Sequence, residues 1–387
     1  MVTIFLFLAI AFILTLLIGN LLEKIRVPWI FSAFLIGTVL SISNPFETIT
    51  SSPIFEFLSQ LGMYFLLFVI GFEIDLKKLK KSKNFIIKST LFIIFLETIL
   101  GALLIHFVFD YSWIISALVA LSLVAVGEEI LIPILNEFRI TKTKLGQSII
   151  EIGTLDNIIE ILLLMLAGIL IGIGIHSKYD IIITLLSLFS LFALTILLGK
   201  LNKNGRTKFK FISIETLFLF ILFVFFLFLA IGEIANAVPI AAILAGIGLN
   251  TFIPNNRIKN IKSEVKTLCY GFFAPIFFLG VGLTMNINYL LVSPLLIILI
   301  IIVSNGSKIL GSWITARKIL GEKQSILLGI GLSVKFSTSI IIIKLLLENN
   351  LIDSNLYSII VASSIMFNFL VPFLFSKLIT KWKINKK

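Results

Sequence analysis

Thr154, Asp156, Asn157 and Glu160 stand within two helical turns of one another in a largely apolar run. A carboxylate beside an amide and a hydroxyl offers the oxygen ligands that a hard cation takes. Asp156 and Glu160 are four residues apart, so a helix puts them on one face. Burial favours the protonated form of a carboxylate, which lets such a site exchange a proton for a cation. Other ionisable residues also fall inside apolar runs: Glu97, Glu128, Glu129, Glu151, Lys308, Lys335 and Lys344. At ~1.5 Å of rise per residue, Glu97, Glu129, Asp156, Lys308 and Lys335 lie about 12–18 Å from the cytoplasmic ends of their runs. A charge at that depth costs at least ~2.5–3.5 kcal/mol, so each needs a partner, water or a task.

The blander readings differ by residue. Asp156 and Lys308 could form a purely structural ion pair, but their shared depth favours a functional role. Glu128 and Glu129 read equally well either way, as does Glu97. Glu160 reads more readily as a carboxylate facing water or a polar neighbour. Lys335 is assigned to a helix break. Lys344, near an outer end, is read as snorkelling, and Glu151 as hydrated at the cytoplasmic mouth. Two runs look discontinuous. One holds Gly127-Glu128-Glu129 and then Pro133; the other holds Gly329, Gly331 and the polar stretch Ser333–Ser339. Such breaks are tolerated at membrane depth where they line a cavity, and their ends carry partial charges that acids and lysines can balance.

The elements that must position these residues follow from composition. Of 387 residues, 59% are hydrophobic and 13% charged, against roughly 25% charged in soluble domains. Apolar runs of about 20 residues recur throughout, each long enough to cross a ~30 Å hydrocarbon core. An all-α polytopic membrane protein is expected, with about thirteen spans at 3–23, 27–42, 54–72, 85–109, 113–136, 146–174, 180–199, 209–230, 237–249, 267–283, 293–316, 323–347 and 355–380. The loops between them are short, so no soluble domain is expected. A single cysteine, Cys269, excludes a disulfide framework. His106 and His176 fall near outer ends, which leaves no base or nucleophile at midplane. No enzyme activity, resident metal or cofactor is expected.

Net charge is +12, which could suggest nucleic acid, but position argues against it. Apart from Lys178, Lys308, Lys335 and Lys344, the basic residues, 28 of 32, fall in alternate loops and the C-terminal tail. The positive-inside rule then places the N-terminus outside and the C-terminus in the cytoplasm, in a plasma or inner membrane.

The chain also repeats itself. An offset of 211 carries Val27-Pro28 and Gly37 onto Val238-Pro239 and Gly248. Gly62, Phe68 and Gly71 recur with the same spacing as Gly271, Phe277 and Gly280. The shift is seven spans, and an odd shift reverses direction across the bilayer. Two inverted six-span units joined by span 7 are expected, as in secondary transporters. The same offset maps Glu97 onto Lys308 and Asn157 onto Asn368.

Three stretches, Leu61–Leu76, Pro275–Leu283 and Gly331–Ser337, together with Lys308 and Pro133, resemble the monovalent cation:proton antiporter-2 family of sodium/hydrogen exchangers. Leu61–Leu76 looks like its third-span signature. Pro275–Leu283, P-I-F-F-L-G-V-G-L, resembles its later counterpart, and Gly331–Ser337, G-L-S-V-K-F-S, is similar to its G-L-S-P-R-G-E stretch. Lys308 falls where the family carries an intramembrane Lys or Arg, and Pro133 in a family-like broken span 5. The resemblance implies two crossed discontinuous helices and exchange of Na⁺ or K⁺ for H⁺ by alternating access. It implies a homodimer whose dimerisation part is spans 1–3 and 8–10 (about 1–84 and 205–290). The core part is spans 4–6 and 11–13 (about 85–175 and 291–381), with span 7 (about 176–204) as linker. Ion and proton binding is thereby assigned to Asp156, Asn157, Thr154, Glu128 and Glu129. Charge pairing and the helix breaks are assigned to Lys308, Lys335, Glu97 and Pro133. The family's second span-6 carboxylate is Asn157 here, and one or both of Glu128 and Glu129 are expected to replace its charge. Two alternatives keep the architecture: a transporter of another solute, and a non-transporting sensor-like paralogue.

Overall fold

The computed structural model describes residues 3–24, 28–74, 84–127, 135, 138–172, 178–202, 213–235, 237–253, 255–335, 337–382 and 384, without side chains at 161–172, 178–185, 201–202 and 255–259. No strand occurs among the described residues. The helices are α1 (Ile4–Lys24), α2 (Phe31–Ile42), α3 (Glu47–Thr50), α4 (Pro53–Glu73), α5 (Asn84–Phe109), α6 (Trp113–Ser122) and α7 (Lys144–Gly172). They continue as α8 (Lys178–Asn202), α9 (Ile214–Ile234), α10 (Val238–Phe252), α11 (Asn255–Leu268), α12 (Ala274–Leu283) and α13 (Ile287–Val292). The chain closes with α14 (Pro294–Leu320), α15 (Glu322–Leu332), α16 (Ser337–Glu348) and α17 (Ser354–Lys381). Among the described residues, seven helices are long and apolar enough to span, or eight if α15 and α16 form one bent span. Four shorter apolar helices accompany them.

Local sequence explains many of the ends. Ser52 caps α4, its Oγ accepting from Phe55 N at 3.3 Å, and Pro53 follows where a missing amide costs nothing. Asp353 caps α17 through Leu356 N at 2.9 Å. Gly321 closes α14 at φ +83°, a conformation that glycine adopts without strain.

One departure from the sequence reading has a clear cause. The basic stretch Arg257–Lys266, read as loop, is helix α11. Its Ile258, Ile261, Val265 and Leu268 recur at helical spacing, and Ile261 and Val265 are buried. A π-helical turn at Cys269–Phe273 joins it to α12. In the run read as 113–136, α6 ends at Ser122 and Leu123–Gly127 are not helical, next to the discontinuity read at Gly127-Glu128-Glu129. Glu128, Glu129 and Pro133 lie outside the described residues, as does His176.

The chain divides into two compact units. One comprises Met1–Ile13, Pro45–Asp75 and Leu164–Gly280. Its centre is α10, which packs against α4, α8 and α9. Side chains are absent where backbones meet: a Cβ on Gly71 would strike the Ile243 carbonyl, and one on Gly246 the Phe68 carbonyl. Phe65 fills the space beside them, stacked on Phe273 at 4.3 Å and against Phe225 at 4.4 Å between ring centroids.

The second unit comprises Leu14–Asn44, Leu76–Leu163 and Val281–Lys387. Here α14 lies along α5 and α15, α6 packs on α5 and α16, and α17 contacts α14, α15 and α16. Small residues bring these helices close. Gly101 meets Ala120, Gly311 meets Ile93, and a Cβ on Gly329 would clash with the backbone of Lys308 and Ile309. The ionisable side chains converge in this unit.

Candidate functional site

Lys308 sits in the middle of α14 with its side chain wholly buried. Its Nζ donates to the Val124 carbonyl at 2.5 Å and the Leu332 carbonyl at 2.8 Å. Val124 lies just past the end of α6, and Leu332 is the last residue of α15. Helix ends leave carbonyls without an intrahelical donor, and those carbonyls carry the negative end of the helix dipole. One ammonium thus binds two interrupted helices at their negative ends. Gly127 N donates to the Val334 carbonyl at 2.8 Å, and Ser339 Oγ donates to the Ser122 carbonyl. The segments beyond the two ends are therefore tied to each other as well. The axes of α15 and α16 are bent by 48° across their break.

Glu97 reaches this point from α5. Its Oε1 accepts from Ser304 Oγ at 2.5 Å and from Lys335 Nζ at 3.2 Å. Its Oε2 lies 3.5 Å from Lys308 Nζ. Asp156, on α7, approaches Lys308 with Oδ2 at 3.8 Å. Lys335 Nζ also lies 5.2 Å from the centre of the Phe367 ring, within cation–π range. Glu97, Asp156, Lys308 and Lys335, which the sequence placed at one depth, form one buried cluster. The order of partners differs from a simple Asp156–Lys308 pair, because Lys308 lies nearer to two carbonyls and to Glu97.

The polar residues beside Asp156 are engaged locally. Asn157 Oδ1 accepts from Val126 N at 3.2 Å, which ties α7 to the segment following α6. Thr154 Oγ1 donates to the Ile150 carbonyl at 2.8 Å, the back-bonding expected of a hydroxyl inside a helix. Its lone pairs remain able to accept. Glu160 is 1% exposed, and neither of its carboxylate oxygens has a hydrogen-bond donor among the described residues. Glu151 is exposed on the same helix. Lys344 approaches Glu348 at 3.8 Å and lies 5.8 Å from the centre of the Tyr357 ring.

Three participants were not singled out from sequence. Ser304 binds Glu97, and its place one helical turn before Lys308 on α14 was a usable signal. The carbonyls of Val124 and Leu332 carried no signal, because every residue has a carbonyl and only the fold decides which ones are left unpaired.

The family model described as sodium/hydrogen exchanger, transmembrane, matches residues 8–379. A probable Na⁺/H⁺ antiporter 3 of Methanocaldococcus jannaschii is 28% identical over 394 residues, covering 99% of this chain and 97% of that protein. The Na⁺/H⁺-K⁺ antiporter GerN of Bacillus cereus is 23% identical over 378 residues, covering 92% of each. The solved structure of the sodium proton antiporter MjNhaP1 from M. jannaschii superposes with a TM-score of 0.62 at 18% identity, over 97% of this chain and 96% of that one. That likeness establishes the fold.

Proposed function

Because the chain belongs to the sodium/hydrogen exchanger family of transmembrane transporters, we propose that it exchanges a monovalent cation, Na⁺ or K⁺, for H⁺ by alternating access. The observation that carries this reading is Asp156, a carboxylate 2% exposed with its Oδ2 3.8 Å from Lys308 Nζ. A cation arriving at Asp156 competes with that ammonium. Lys308 loses little when displaced, because the Val124 and Leu332 carbonyls and Glu97 still hold it. A proton on Asp156 neutralises the same charge. Cation and proton therefore exclude each other at one carboxylate, which is the requirement for exchange.

The N-terminus lies outside and the C-terminus in the cytoplasm of a plasma or inner membrane, as the basic loops argue. Spans 4–6 and 11–13 form the moving core, and spans 1–3 and 8–10 the dimerisation part of a homodimer. The inverted repeat is supported by two similar helix approaches: Gly71 meets the Ile243 carbonyl, and Gly282 meets the Phe34 carbonyl. The test is proton flux in proteoliposomes containing the purified protein and a pH-sensitive dye. Addition of Na⁺ or K⁺ should drive protons across the bilayer, and the absence of flux with either would overturn the proposal.

A further inference from the structure

Asp156 and Glu160 are both at most 2% exposed, and four residues of helix separate them. Residues so spaced on a helix are neighbours, with about 5–6 Å between Cβ atoms. Glu160 lies one helical turn beyond Asp156 on α7, within electrostatic reach of Asp156, Lys308, Lys335 and Glu97. Both lysines are already engaged. Lys308 is bound to two carbonyls and lies by Glu97 and Asp156; Lys335 is bound to Glu97. Neither forms an ion pair with Glu160 among the described residues. Within the cluster, three buried carboxylates, Glu97, Asp156 and Glu160, face two buried ammoniums, Lys308 and Lys335. One further positive charge, a proton or a bound cation, closes that balance, and both carboxylate oxygens of Glu160 lack a hydrogen bond among the described residues.

Asn157 cannot supply the missing ligand charge. It is neutral, and its Oδ1 is occupied by Val126 N. A buried carboxylate without a donor is costly unless something binds it. We infer that Glu160 is the second anionic ligand of the transported monovalent cation, which is held between Asp156 and Glu160 one helical turn apart. The two ligands then lie along the helix axis, with Asn157 between them acting on the backbone after α6. This assignment rests on the antiporter reading and names a ligand within that site.

Cation-driven proton flux and the cation-induced rise in melting temperature, measured on purified protein with Na⁺, Li⁺ and K⁺, test it. Glu160→Gln keeps the shape and removes the charge. The apparent affinity for the cation should fall by about tenfold or more, and the cation-induced rise in melting temperature should disappear. Glu151→Gln, at an exposed position of the same helix, should match the parent. Adding Asn157→Asp to Glu160→Gln should recover part of the affinity. A parent protein without cation-driven flux overturns the antiporter reading itself. A parent with flux whose Glu160→Gln variant keeps its affinity within about threefold overturns only the Glu160 assignment. Should Glu160→Gln fail to fold, Glu160→Asp retains the charge and shortens its reach by one methylene. It should change the preference between Na⁺ and K⁺, and an unchanged preference and affinity would overturn the assignment.

Discussion

Lys308 lies closer to Glu97, at 3.5 Å, than to Asp156, at 3.8 Å, although Asp156 is the carboxylate that the exchange reading needs. Glu97 itself is shared by Lys308, Lys335 and Ser304. Lys308 is thus anchored on one side and free to release Asp156 on the other.

That asymmetry is measurable. Lys308→Met removes the ammonium and keeps most of the volume. Breaking one partner of a buried pair typically costs ~3–5 kcal/mol, so the melting temperature should fall. Double-mutant cycles should give a larger coupling between Lys308 and Glu97 than between Lys308 and Asp156. Equal or reversed couplings would mean that Lys308 is held chiefly by Asp156.

Asp156→Asn preserves shape and removes the group at which cation and proton compete. Cation-driven proton flux should disappear while the protein still elutes and melts as a folded species. Flux at the parent level in this variant would show that another carboxylate carries the exchange.

Ser304→Ala deletes a hydroxyl that donates to buried Glu97. Leaving a buried acceptor short of its donor costs about 1–3 kcal/mol. A lowered melting temperature is expected, together with weaker coupling between Glu97 and Lys335. No change in either would show that the lysines alone satisfy Glu97.

Gly246→Val adds a branched side chain where α10 meets the backbone of α4 at Phe68. Overpacking of this kind costs roughly 1–3 kcal/mol, and more where backbone must move. Yield and melting temperature should both fall, whereas Gly271→Ala, at a glycine with open space around it, should leave both near the parent values.

Orientation can be read by substituted-cysteine labelling in the parent background, since Cys269 is buried. Ser51→Cys and Asn350→Cys, both at exposed positions, should react with an impermeant reagent from outside, and Lys80→Cys should not. Labelling of Lys80→Cys from outside would invert the assigned topology.

The sequence by itself determined the helical membrane architecture, because a long apolar run satisfies its backbone in lipid only by coiling on itself. Most helix ends fall within a few residues of the apolar runs for the same reason. The sequence also marked Glu97, Asp156, Lys308 and Lys335, since an ionisable residue in an apolar run is conspicuous wherever it packs. It did not mark α11, whose apolar stripe was masked by the lysines between its members. Only the tertiary structure decided who pairs with whom. The carbonyls of Val124 and Leu332 hold Lys308 because two helices stop beside it. Asn157 is engaged by Val126 because the segment after α6 passes within reach. Glu160, read from sequence as facing water or a polar neighbour, is buried without a donor among the described residues. Helix periodicity tells which residues share a face. What that face meets depends on contacts between segments far apart in the chain, and those are a property of the fold.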